Sequence, residues 1–162
     1  MAGHVELRDL DDDDLDAVFD MMRAPEAVQM AAFTAADPDD RAAFDAWIAR
    51  ERAAPLVRLY AVTEDGGFAG TAALFTVDVE REMTFWIAAN AWGRGVASEA
   101  VRILLSLEPE RPLFARAAAS NAAALAVLAK AGFTEVSRTL ANAPALGHQV
   151  EEITLTLAPV LE

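Results

Sequence analysis

The chain reads as an α/β protein with one central sheet and helices distributed along it. Three observations predict this. Short runs rich in alternating or β-branched and aromatic residues recur from end to end. Amphipathic, alanine-rich segments lie between them. No repeat or linker-like stretch divides the 162 residues, so residues 1–162 are expected to form a single domain.

Val5 and Leu7 alternate with Glu6 and Arg8, which predicts a first strand. Asp11 to Asp14 supply capping carboxylates for a following helix, where Leu15, Val18, Phe19 and Met22 recur on one face. Apart from capping, the acidic run reads as a solvated helix start. Pro38, Asp39 and Asp40 mark a second helix start, and that helix carries Phe44, Trp47 and Ile48 and stops before Pro55. Val57 to Thr63 and Phe68 to Val77 read as hairpin partners around Glu64-Asp65-Gly66-Gly67. Glu80 to Ile87 is a further central strand, and Val96 to Leu107 a helix. Pro109 and Pro112 bracket a short connection into the strand Leu113 to Ala118. A helix then runs through Asn121 to Ala131 and stops at Gly132. Phe133 to Leu140 and Glu151 to Leu157 predict the last two strands.

Thirteen Lys and Arg against 26 Asp and Glu give a formal net charge of −13. No basic stripe is present to displace counterions from a phosphate backbone, so nucleic acid is excluded as a partner. The acidic balance suits a cationic or amine ligand better than a polyanion. With no cysteine, thiolate catalysis, disulfides and cysteine-based metal sites are excluded. His4 and His148 form no metal-ligand pattern, and no metal is expected. No apolar run is long enough to span a membrane, so the reading is a cytoplasmic protein without a membrane partner.

The segment Trp92-Gly93-Arg94-Gly95-Val96-Ala97-Ser98 follows a strand and opens a helix. Glycines at such a junction permit unusual backbone angles and close ligand approach, and the helix start adds unpaired N–H donors. Together these predict a phosphate or pyrophosphate cradle. The nucleotide motifs Gly-x-x-x-x-Gly-Lys-Ser/Thr and Gly-x-Gly-x-x-Gly are absent.

Three segments in order carry a family resemblance: Glu82-Met83-Thr84-Phe85-Trp86-Ile87, then Trp92 to Ala100, then Asn121 through Gly132-Phe133. In this pattern the chain resembles the GNAT superfamily of acyl-CoA-dependent N-acetyltransferases, in particular the branch of ribosomal-protein-alanine N-acetyltransferases. The resemblance implies a mixed, mostly antiparallel sheet of six to seven strands flanked by about four helices, with strands 4 and 5 splayed into a V-shaped cleft. It also implies acetyl-CoA as cofactor. The pantetheine arm would pair with exposed backbone near Ile87 and Ala88, and the diphosphate would lie over Trp92, Gly93, Arg94, Gly95, Val96 and Ala97. Arg94 either bonds phosphate or faces solvent. Asn121 is the family's helix-entry residue, but Ala124 stands where a serine is common. The tyrosine frequent in relatives is missing, since the sole tyrosine, Tyr60, lies in an early strand.

Direct transfer needs a neutral amine, an oriented thioester and donors for the developing oxyanion. Glu82, on the strand bordering the expected cleft, is the candidate general base. Glu80 shares its face by strand alternation and could hold the ammonium. The oxyanion donors implied by the resemblance are backbone N–H groups at Ile87 and Ala88. Ser98 and Glu99 read first as organisers of the helix start. Trp47, Phe85 and Trp86 either wall an acceptor pocket or pack the core. His148 is either a substrate-proximal loop residue, in a segment 142–149 between the last strands, or an idle surface group. The expected partner is a small-molecule or peptide amine, and open sheet edges are compatible with a homodimer. The competing reading is a non-catalytic acyl-CoA sensor of the same fold.

Overall fold

A computed structural model describes residues 2–25, 37–144 and 146–159. Its strands are β1 (Val5–Asp9), β2 (Arg58–Glu64), β3 (Gly67–Val77), β4 (Glu80–Ile87), β5 (Leu113–Ala118), β6 (Thr134–Ala143) and β7 (His148–Leu157). They form one seven-stranded sheet in the order β1-β2-β3-β4-β5-β7-β6. Every pairing is antiparallel except β4 with β5. The helices are α1 (Leu15–Arg23), α2 (Arg41–Ala53), α3 (Val96–Leu107) and α4 (Ala122–Lys130). The mixed sheet and its flanking helices match the expected architecture. The parallel pair β4–β5 is joined through α3, a crossover long enough to return the chain in the same direction.

Strand alternation sends side chains into two cores. Met83 and Ile87 of β4 meet Val96, Ala100, Val101 and Leu104 of α3 and Leu128 of α4. On the opposite face, Ala61 and Trp86 pack with Val18 and Phe19 of α1 and Phe44 and Ile48 of α2. The helices therefore sandwich the sheet, α1 and α2 on one face and α3 and α4 on the other. At the β2–β3 turn, Asp65 and Gly66 have φ of 52° and 83°. Two consecutive positive φ angles are what a tight hairpin of this twist requires.

Three local details depart from the sequence reading. The acidic run is not wholly solvated: Asp14 is buried and receives both guanidinium ends of Arg8, at 2.7 and 2.8 Å. Hydrogen bonding to Arg8 holds its carboxyl below the usual range against the opposing effect of burial. Met21, not Met22, is the buried methionine of α1. The last hairpin is longer than expected, with β6 reaching Ala143 and β7 beginning at His148. Almost all of β6 is exposed, so no burial pattern marks its extent in the sequence.

Candidate active site

The β4–β5 ladder is short. Only Arg81–Leu113 and Glu82–Phe114 are paired, after which the strands separate. Antiparallel geometry fixes what the separation exposes. The Ala88 N–H donates to Ala69 O at 2.8 Å, so even-numbered residues of β4 direct their backbone groups at β3. Met83, Phe85 and Ile87 therefore direct theirs toward β5; the Glu82–Phe114 pair engages the Met83 N–H, and beyond it the Phe85 and Ile87 amides have no strand partner. A row of strand-edge amides faces a cleft of about 640 Å³, walled by β4, the loop from Trp92 to Ser98, β5 and α4. This corrects one expectation: the Ala88 N–H is committed to Ala69, which leaves Ile87 as the donor of that pair facing the cleft.

The cradle is built by the sequence after β4. Gly93 and Gly95 have φ of 80° and 83°. That region is costly for residues bearing a Cβ, and an added Cβ at either would point into open space. The bare loop backbone thus borders free volume. Gly95 is the N-cap of α3 and offers no side chain, so the first N–H groups of the helix stay open to a ligand. The Trp92 indole N–H donates to Ile87 O at 2.7 Å, folding the loop against the end of β4. Val96, Ala97 and Ser98 line the cleft beside the two glycines. These features fit the diphosphate and amide-bearing arm of an acyl-CoA.

Of the two readings of Arg94, phosphate contact or solvent, the structure shows a third arrangement, an ion pair that leaves the side chain partly exposed. Its guanidinium is paired with Glu64 at the end of β2 and donates to Asn90 O at 2.9 Å, and it does not line the cleft. Asn121 does line the cleft, but its side chain caps α4 by accepting from the Ala124 N–H at 3.2 Å. Glu99 pairs with Arg102 one turn along α3, consistent with a structural role.

Sheet register gathers the titratable groups. Glu82, Arg116 and Glu152 lie on the α1/α2 face of the sheet, on β4, β5 and β7, and all three line the cleft. Glu82 is buried and accepts from Arg116 Nε at 2.9 Å. Arg116 Nη1 lies 3.9 Å from Glu152. Burial works against the Arg116 cation, but Glu82, Glu152 and Glu80 outweigh it and hold the charge. Burial raises the Glu152 carboxyl; Arg116 pulls it back in part, and the Glu82 charge adds to the rise. Glu80 shares the face but is exposed and lies outside the cleft lining. Sequence reasoning missed Arg116 and Glu152. Their alternation on β5 and β7 was readable, but which strands adjoin β4 was not.

A second cavity, of about 530 Å³, lies between α1/α2 and the same face of the sheet. Trp47 lines it, and Phe85 and Trp86 line both cavities. His148 lines neither; it is exposed at the first residue of β7, with Nδ1 3.0 Å from Gln149 O. Among the described residues no cluster of His, Cys, Asp and Glu is arranged to hold a metal. No helix among them is long and apolar enough to cross a membrane.

A parallel strand pair that opens beside a glycine-rich helix start defines an acyl-CoA-dependent N-acetyltransferase. The acetyltransferase (GNAT) domain model matches residues 4–134, and the chain belongs to this family. No curated protein sequence gives a significant match. Among solved structures, an N-acetyltransferase from Staphylococcus aureus Mu50 superposes with a TM-score of 0.80 at 19% identity, over 96% of this chain and 99% of that one. A ribosomal-protein-alanine N-acetyltransferase from Brucella melitensis gives 0.73 at 20% identity, over 95% and 99%. A spermidine N-acetyltransferase from Vibrio cholerae, in complex with CoA and spermine, gives 0.74 at 15% identity, over 94% and 95%. At such identities the superpositions establish the shared fold.

Proposed function

We propose that the protein transfers an acetyl group from acetyl-CoA directly to a primary amine. The observation that carries this reading is the unpaired β4 edge opening onto the glycine loop. Bound acetyl-CoA supplies the acetyl thioester. The amides of Phe85 and Ile87 replace missing sheet bonds with bonds to the cofactor arm. The loop at Gly93 and Gly95 and the first turn of α3 receive the diphosphate. Arg94 braces this loop against β2 through Glu64. In this reading the Ile87 N–H meets the negative charge developing on the acetyl oxygen.

The amine approaches from the α1/α2 face, where Glu82 lies. Arg116 orients the Glu82 carboxylate, which attracts the ammonium and accepts its proton, directly or through one water. Glu80 adds negative field at the entrance. A Glu82→Gln variant should lose about tenfold or more in kcat while acetyl-CoA affinity by calorimetric titration stays at the wild-type value. Unchanged turnover across pH would remove Glu82 from proton transfer. The sensor reading is favoured by Ala124 and by the absence of tyrosine from the cleft lining among the described residues. Micromolar CoA binding without thiol release from any amine would establish it.

A further inference from the structure

The second cavity carries information about the acceptor that the cofactor cleft does not. Its walls are aromatic: Phe19 from α1, Phe44 and Trp47 from α2, and Phe75, Phe85 and Trp86 from the sheet. The α1/α2 rings form a tilted cluster, with centroids 5.3 Å apart for Phe19–Phe44 and 6.1 Å for Phe44–Trp47. The sheet floor is small between bulky ends. Ala73 lies opposite Thr84, flanked by Phe75 opposite Glu82 and by Thr71 opposite Trp86. A flat apolar body fits over Ala73 and Thr84, and the volume is within the range of small-molecule sites.

Among the described residues Asp37, Asp40 and Glu51 lie on the lining; Asp37 accepts from the Asp39 N–H and Asp40 caps α2, which fixes the direction of those two carboxylates. Phe19 and Phe44 do not form an open cage for ammonium. Arg41 already lies over both rings, at 5.1 and 5.7 Å, and Arg23 over Phe19 at 5.4 Å. Negative charge close to the chemistry is instead at Glu82, one alternation step from Thr84, about 7 Å along the strand. Phe75, Thr84, Phe85 and Trp86 line both cavities, so a body seated in the aromatic chamber directs a short amine arm to Glu82 and the open β4 edge.

The geometry points to a specific acceptor class: primary amines carried one to three bonds from an aromatic body, in preference to polyamines. This rests on the acetyltransferase reading above. Transfer forms one N–C bond and breaks the thioester C–S bond. One amine proton goes to the thiolate, and the other leaves through Glu82.

Two measurements decide it. Calorimetric titration without cofactor compares tryptamine and 2-phenylethylamine with spermidine and putrescine, and thiol release with acetyl-CoA compares the same four. The aryl amines should bind about tenfold more tightly and be acetylated with the higher kcat/KM, because only they bury an apolar body. Trp47→Ala should raise the tryptamine KM about tenfold while the acetyl-CoA KM holds. Ala43→Trp, at an exposed helical position on the lining, should obstruct the chamber with the fold intact and weaken tryptamine binding similarly. Equal or tighter binding of the polyamines, or tryptamine affinity untouched by both variants, would overturn the assignment. Failure to bind acetyl-CoA would instead sink the donor reading, and the cofactor-free titration would still decide the acceptor class.

Discussion

Gly95 combines two constraints at one residue. Its φ of 83° disfavours any side chain, and the space beside it belongs to the cleft. Gly95→Trp should therefore weaken CoA binding by about tenfold or more through strain and obstruction together, and unchanged affinity by calorimetry would displace the diphosphate from this loop. Glu152 yields a prediction of stability against pH. Its carboxyl titrates above the unfolded value because burial disfavours the charged form. The fold therefore loses stability through this group as pH rises through the folded pKa, and below the unfolded pKa that loss is absent. Glu152→Gln does not titrate, so it should raise the melting temperature at pH 7 and give no gain near pH 3. An equal gain at both values would show that charge is not the cause.

At the scale of elements, β4 holds the site because both its ends are fixed while its middle is left open on one edge. Arg81 anchors the first end, donating to Glu108 beyond the C-terminus of α3 at 2.6 Å. Both side chains are nearly buried, 12% and 11% exposed. Burial alone would raise the Glu108 carboxyl, but Arg81 holds it low. Arg81→Met would strand that carboxylate and should cost about 3–5 kcal/mol by chemical denaturation. Adding Glu108→Gln should recover part of the loss; a double variant no better than the single one would mean packing, not charge, dominates. At the other end, Gly70 faces Ile87 so closely that a Cβ would lie 2.2 Å from Trp86 O. Only glycine on β3 lets the end of β4 sit where Ile87 and Trp92 can meet.

The whole molecule is two helical layers around a sheet that is continuous except at the β4–β5 opening. In the proposed binding mode acetyl-CoA would span that discontinuity, touching β4, the α3 start and the α4 end of β5 at once. Such a ligand binds the folded state alone and should stabilise it by about 2.7 kcal/mol at a hundredfold excess over Kd. Thermal melts with CoA and acetyl-CoA should both shift upward, and ATP at the same concentration should not. An equal shift with ATP would mean that the loop holds phosphates without recognising the pantetheine arm.

Element types and order were readable because periodicity, caps and turn residues are local: Asp40 caps α2, Asn121 caps α4, and Asp65-Gly66 makes the tight turn. The cradle was readable for the same reason, since strand, glycines and helix start are contiguous. The extent of β6 was not, because an exposed strand carries little burial signal. The destinations of long side chains depended on strands far apart in sequence. Arg94 pairs across 30 residues with Glu64, and Glu82 across 34 with Arg116. Sheet order brought Glu152 to the same face, and helix packing set Trp47 and Phe75 in the walls of one cavity. By itself the sequence determined the local backbone of the loop, the positive-φ glycines and helix start to which we assign the acyl-CoA diphosphate. Tertiary structure decided which charges meet at the cleft and which side chains wall the second cavity, because Coulomb pairing and cavity walls are set by neighbours that only folding brings together.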